Sequence, residues 1–271
     1  MQNRWKIMAM NNPFRSLKDE VSFLKEAGVD AMELTIEPPE SYFSQIEENA
    51  VTLKKFCSVG HTRIDLEFAN TNRAIRINAI EKFKQALDLF ASLNIHLVNF
   101  HPHRGDKTTP DKVVKELNIE SLKIACAIAK EKNITIMIEN QNPFPFPKDY
   151  EQIFSEVPDA MLLLDIAHAF YLSGEEGVLY FINNFSQKIR HVHLCDNTGK
   201  DDDHLFLGKG EINFKKFITE VVEKIDHPVA FSLEPFMVND SPDGLRFASQ
   251  SERRQLLNES ISIVRNALPQ A

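Results

Sequence analysis

Short apolar runs alternate along the chain with longer segments in which apolar residues recur every three to four positions. The short runs predict strands over 5–10, 31–35, 58–61, 96–101, 134–139, 161–165, 189–194 and 229–234. Several hold Val, Ile, Leu and Met without alternation, the pattern of parallel strands covered on both faces. The longer segments predict amphipathic helices. In 16–27, Leu17, Val21, Leu24 and Ala27 share one face with Phe23 at its edge; in 75–93, Ile80, Phe83, Leu87 and Phe90 do the same. Segments 121–130, 177–185, 214–225 and 253–268 follow the same rule. Strands alternating with helices predict an α/β fold built from βαβ units. Successive strand ends fall 25 to 41 residues apart. Eight such units predict a single (β/α)8 TIM barrel over 1–271 as one domain, with its active site at the C-terminal ends of the strands. The rival doubly wound sheet calls for a Gly-rich first turn, and this chain has 9 Gly and no GxGxxG.

Composition sharpens this only a little. An apolar fraction of 43% excludes a disordered chain, and the 9 Gly and 13 Pro exclude a collagen-like one. No apolar run approaches the roughly 18 residues of a membrane helix, and the opening segment, with Arg4 and Lys6, does not read as a signal peptide. A net charge of −8 gives no long-range attraction to DNA or an anionic membrane. Cys57, Cys126 and Cys195 form neither a disulfide framework nor a paired zinc ribbon, so a reducing, cytoplasmic setting without membrane contact is expected.

The chemistry sits at the strand ends. Six of the eight predicted ends are His, Glu or Asp: His61, His101, Glu139, Asp165, His193 and Glu234. A barrel brings such ends to one rim. Carboxylates gathered there beside imidazoles would repel one another without a cation between them, so a divalent metal is expected. Imidazole with carboxylate and no thiolate suits zinc, manganese, iron or cobalt. Cys195, two residues past His193, is not counted as a ligand. Taken alone, Asp201–Asp203 reads as a solvated acidic loop, while Gly208 and Gly210 allow a tight turn that folds the loop over the barrel mouth. The Pro-rich run 142–147 predicts a stiff loop, either an apolar pocket wall or plain surface. Arg73 to Arg76 reads as a solvated helix start.

These residues resemble the xylose-isomerase-like barrel superfamily, which joins sugar isomerases and epimerases with endonuclease IV. The resemblance is carried by Asn99–Pro102, Ile138–Asn140, Asp165–Phe170, His191–Asn197, Asp202 with His204, Gly208–Ile212 and Leu233–Pro235. It implies a metal held by Glu139, Asp165, His193 and Glu234, the set used by the epimerases. Endonuclease IV adds ligands resembling His61, His101, His168, Asp202 and His204 around a three-zinc cluster. The implied cofactor is therefore one to three divalent ions, zinc first, with manganese or cobalt as alternatives.

Two functions follow from the resemblance. The first is a metal-dependent sugar or sugar-phosphate isomerase/epimerase working through a metal-stabilised enediolate, with Glu139 and Glu234 as acid and base and with His168, Arg63 and Lys209 orienting the substrate. The alternative is a zinc phosphodiesterase cleaving DNA at abasic sites. Against it, Ile64 and Asp65 stand where the nuclease carries a DNA-wedging pair, and Asn11–Phe14 lacks its DNA-facing pattern. A barrel that binds a sugar without turning it over is the non-enzymatic reading.

Overall fold

The computed structural model describes residues 4–36, 41–62, 65–241 and 244–269. Arg63 and Ile64, singled out from the sequence, lie outside the described residues. Eight parallel strands follow one another around a closed barrel in chain order: β1 (Trp5–Met10), β2 (Ala31–Thr35), β3 (Cys57–His61), β4 (Leu97–Phe100), β5 (Thr135–Glu139), β6 (Met161–Asp165), β7 (Ile189–Leu194) and β8 (Val229–Leu233). The helices are α1 (Leu17–Ala27), α2 (Ser41–Phe56), α3 (Arg73–Ser92), α4 (Asp111–Glu131), α5 (Pro147–Glu156), α6 (Ile166–Phe185), α7 (Phe214–Lys224) and α8 (Gln250–Ala267). Among the described residues, no helix is long and apolar enough to cross a membrane.

Two strands stop one residue before the sequence pattern does. β4 ends at Phe100 and β8 at Leu233, because His101 and Glu234 each precede a proline, which has no N–H to extend the ladder. Both side chains therefore stand just beyond the sheet. Other departures are larger. α4 begins ten residues before the predicted 121, and α6 begins at Ile166 and is broken at Gly174 (φ 65°, ψ −171°), so only its second half matches the predicted 177–185. On α3 the inward place expected for Ile80 belongs to Ala79. Helices α2 and α5 and a hairpin of β9 (Met237–Ser241) with β10 (Gly244–Phe247) were not legible as elements.

The chain packs as two compact units. One comprises 11–22 and 32–163, the other 1–10, 23–31 and 164–271. In the first unit β2 to β5 pair in sequence, and β5 pairs with β6 as far as Glu139 opposite Leu163. Its core is an aromatic stack: Phe68 lies on Phe100 at 4.3 Å between ring centres, and Phe83 meets both edge-on at 5.5 and 5.9 Å. Phe90 covers Gly60 of β3 so closely that a Cβ there would lie 2.7 Å from the ring. In the second unit β8 pairs with both β1 and β7, putting Ser232 opposite His193. On α8, Arg253 and Arg254 lie over the Phe23 ring at 4.5 and 5.0 Å.

Candidate metal centre

In the first unit the ends of β3, β4 and β5 bring together His61, His101 and Glu139, all buried. His101 Nε2 lies 2.7 Å from Glu139 Oε2, and the His61 and His101 rings meet edge-on at 4.5 Å. Thr35 Oγ1 and His61 Nδ1 are 3.3 Å apart, and the Asn99 amide lies 3.0 Å from His101 Nε2. Three consecutive strands thus deliver one carboxylate with two imidazoles, each oriented by a neighbouring polar group.

The second unit holds a larger assembly. Asp165, at the end of β6, is fully buried and is the N-cap of α6: its Oδ1 accepts from the His168 N–H at 2.8 Å. Its Oδ2 is 3.5 Å from His168 Nδ1 and 3.9 Å from His193 Nδ1, and His193 Nδ1 is 2.9 Å from Glu234 Oε2. His168, three residues past the predicted strand end, belongs to the first turn of a helix, because the Asp165 carboxylate caps the chain at once. Beside this set, Asp202 stands between two imidazoles, with Oδ2 at 3.2 Å from His168 Nε2 and Oδ1 at 3.3 Å from His204 Nε2.

Electrostatics follow from this crowding. Burial works against the charged form of Asp202, but the hydrogen bonds and charges of His168 and His204 hold its carboxyl well below the ordinary range. Burial likewise pushes the His204 imidazole down. The hydrogen bond to Asp202 and the charges of Glu234 and Asp202 outweigh it and carry His204 up to about 9. Burial, followed by the charges of Asp165, Glu234, Asp202 and Asp196, raises the Cys195 thiol well above its usual value.

The loop that delivers Asp202 and His204 is not the solvated acidic run expected from its sequence. Asp203 is buried and accepts from the Thr198 N–H and hydroxyl, both at 2.8 Å. The organising residue is Asp196, which sequence reasoning missed. Its buried carboxylate accepts from the N–H groups of Asn197 (2.9 Å), Gly208 (2.9 Å), Gly210 (2.9 Å) and Ile212 (3.1 Å). A Cβ on Gly210 would lie 2.3 Å from the Asn197 carbonyl oxygen, and Gly208 has φ +82°. Both glycines serve this wrap around Asp196. The glycine pair two apart was the available signal; its partner carboxylate twelve residues upstream was not. His204 itself takes φ 46°, rare for a residue with a side chain.

The remaining expectations fall elsewhere. Lys209 points its ammonium at Glu259 of α8, 3.2 Å away on the surface, and is not part of either cluster. In the Pro-rich loop Phe144 is buried and Phe146 is exposed.

The donors fit a divalent ion. Asp165, His193 and Glu234 each present one atom within 4.8 Å of the others, and His168, Asp202 and His204 do likewise. Bonds of about 2.0 Å in a tetrahedron put neighbouring donors about 3.3 Å apart. The 2.9 and 3.9 Å separations around His193 bracket that value.

The family described as xylose isomerase-like TIM barrel matches residues 21–265. The chain belongs to this family. Among curated relatives it is 31% identical over 157 residues to an uncharacterized protein of Methanocaldococcus jannaschii, covering 56% of this chain and 61% of that one. It is 22% identical over 157 residues to fructoselysine 3-epimerase of Escherichia coli O157:H7, covering 55% and 56%. The match thus spans less than two thirds of either relative. Among solved structures, a D-tagatose 3-epimerase-like protein superposes with a TM-score of 0.77 at 23% identity, over 96% of this chain and 98% of that one. The IOLI protein with a bound zinc atom gives 0.74 at 14% identity, over 97% and 96%.

Proposed function

We propose that this protein is a divalent-metal-dependent sugar isomerase or epimerase acting on the carbon beside a ketose carbonyl. The observation that carries the reading is the buried Asp165–His193–Glu234 set, whose donor spacing suits one ion. Glu139, on its own strand end, is proposed as the fourth member. The fructoselysine 3-epimerase relative and the D-tagatose 3-epimerase-like fold neighbour support the reaction class. Zinc is the proposed ion, with manganese or cobalt as alternatives; mixed imidazole and carboxylate donors favour it, as does the zinc in the IOLI structure. When bound, such an ion polarises the carbonyl and makes the neighbouring C–H more acidic.

The chain's own residues then handle the proton. One of Glu139 and Glu234 removes it and the other returns a proton to the opposite face of the same carbon, which inverts that centre. In the ion-free protein each carboxylate lies beside an imidazole, Glu139 beside His101 at 2.7 Å and Glu234 beside His193 at 2.9 Å. His168 is the proposed substrate-orienting group in the second unit, its ring set by Asp165 and Asp202. With the Lys209 ammonium turned to Glu259, no phosphate-binding role is assigned to it.

The test is solvent-proton exchange. Metal-loaded protein incubated with ketohexoses in D2O should place deuterium on the epimerised carbon, and Glu139→Gln and Glu234→Gln should each slow this by about 10²- to 10⁴-fold. Absence of exchange with every ketose tried would sink the reading. The presence of His61, His101, His168, Asp202 and His204 in ligand-like clusters favours a second reading, zinc-dependent phosphodiester hydrolysis. Three zinc ions per chain with nicking of abasic duplex DNA would select it; one ion without nicking would remove it. Tight sugar binding without exchange would leave the binding-only reading.

A further inference from the structure

β5 makes its last ladder pairing at Glu139, opposite Leu163, and the backbone beyond it leaves the sheet. The residue carrying the proposed acid/base group is thus at a point where sheet hydrogen bonding stops holding the chain. What takes over comes from α5. Tyr150 is fully buried, and its hydroxyl donates to the Glu139 carbonyl oxygen at 3.0 Å. The same hydroxyl accepts from the Gln141 N–H. The two contacts straddle Asn140, so one oxygen fixes the backbone on both sides of the turn that follows the strand.

The hydroxyl is itself held. Phe144 meets the Tyr150 ring edge-on at 6.2 Å from within the Pro-rich loop, and Phe154 lies at 6.1 Å on the same helix. Neighbouring Asp149 accepts from Lys115 at 2.7 Å and from the Phe146 N–H at 3.2 Å, fixing the first turn of α5.

We propose that Tyr150 is a positioning residue that pins the end of β5 through Glu139 and Gln141 and so keeps the Glu139 carboxylate at its place beside His101. This rests on the reading of Glu139 as a metal-holding acid/base. Partners of this kind, one step behind a ligand, typically control metal affinity about 10- to 100-fold.

The experiment uses the full chain and cobalt(II) as the probe, followed by its visible absorption. Tyr150→Phe keeps the ring and removes only the oxygen; it should weaken cobalt binding about tenfold and change the absorption band. Phe154→Leu loosens the same helix without touching the hydroxyl; it should lower the melting temperature at least as much while keeping wild-type affinity and spectrum. Wild-type cobalt binding by Tyr150→Phe would overturn the assignment, as would equal weakening by both variants. A wild-type chain that takes up no cobalt would sink the metal reading itself, and the Tyr150 role with it.

Discussion

His101 and Glu139 leave strands backed by the stacked rings of Phe68, Phe83 and Phe100, whereas Asp202 and His204 ride on a loop gathered around one carboxylate, Asp196. The first arrangement is maintained by packing, which is short-ranged, dense and indifferent to pH. The second is maintained by four charge-assisted hydrogen bonds to backbone N–H groups, and by the Asp202 bridge between two imidazoles. Ligand-type side chains can therefore be presented by two different physical means within one chain, and each means has its own point of failure.

The comparison can be broken most severely at Asp196. Asp196→Ala leaves four N–H groups without their acceptor and should cost about 3 kcal/mol. Urea unfolding would measure the loss, and hydrogen exchange at Gly208, Gly210 and Ile212 should accelerate while β3 to β5 stay protected. The packing side is broken at Gly60. Gly60→Ala drives a methyl into the Phe90 ring and should cost about 2 kcal/mol by the same measurement, without accelerating exchange in the 196–212 loop.

Next comes pH, in the metal-free protein. His204 sits above its ordinary value, so its contribution to stability is complete below about 6.5 and fades as pH rises through about 9. In the first unit, burial lowers the His103 imidazole against the opposing charges of Glu67 and Asp106. Its contribution is present above its ordinary value and is lost as pH falls through the lowered one. Urea midpoints across pH should show both limbs, and His204→Asn should remove only the alkaline one. The smallest effect is expected at the start of α8, where Ser249 and Glu252 cap each other and touch neither cluster. Ser249→Ala should lower stability by about 1 kcal/mol and leave cobalt binding unchanged.

The barrel was readable because each strand is a compact apolar run and each strand end carries a polar side chain of unusual type for its place. Helices α2 and α5 were not, for a shared reason. Among their described side chains α2 buries only Ile46 and Leu53, and α5 only Tyr150 and Ile153, too few for a 3.6-residue pattern to stand out. The β9–β10 hairpin escaped because its strands carry too little apolar alternation to stand out. At the candidate centre, residue types sufficed to nominate His61, His101, Glu139, Asp165, His193 and Glu234. Asp196 and Tyr150 escaped because their partners are backbone N–H and C=O groups, which every residue carries and no residue letter reveals. Lys209 shows the converse: a suggestive letter in a loop whose partner, Glu259, lies 50 residues away on α8.

Asp165 divides its two oxygens between separate duties, Oδ1 closing the first turn of α6 and Oδ2 facing His193. A cation bound at the second oxygen, as proposed, would draw electron density from the first, so occupancy of the centre and fraying of that helix would become linked quantities. In a protein carrying the proposed ion, its removal by a chelator should be audible in the amide signals of Ile166 to His168, well before the barrel as a whole responds.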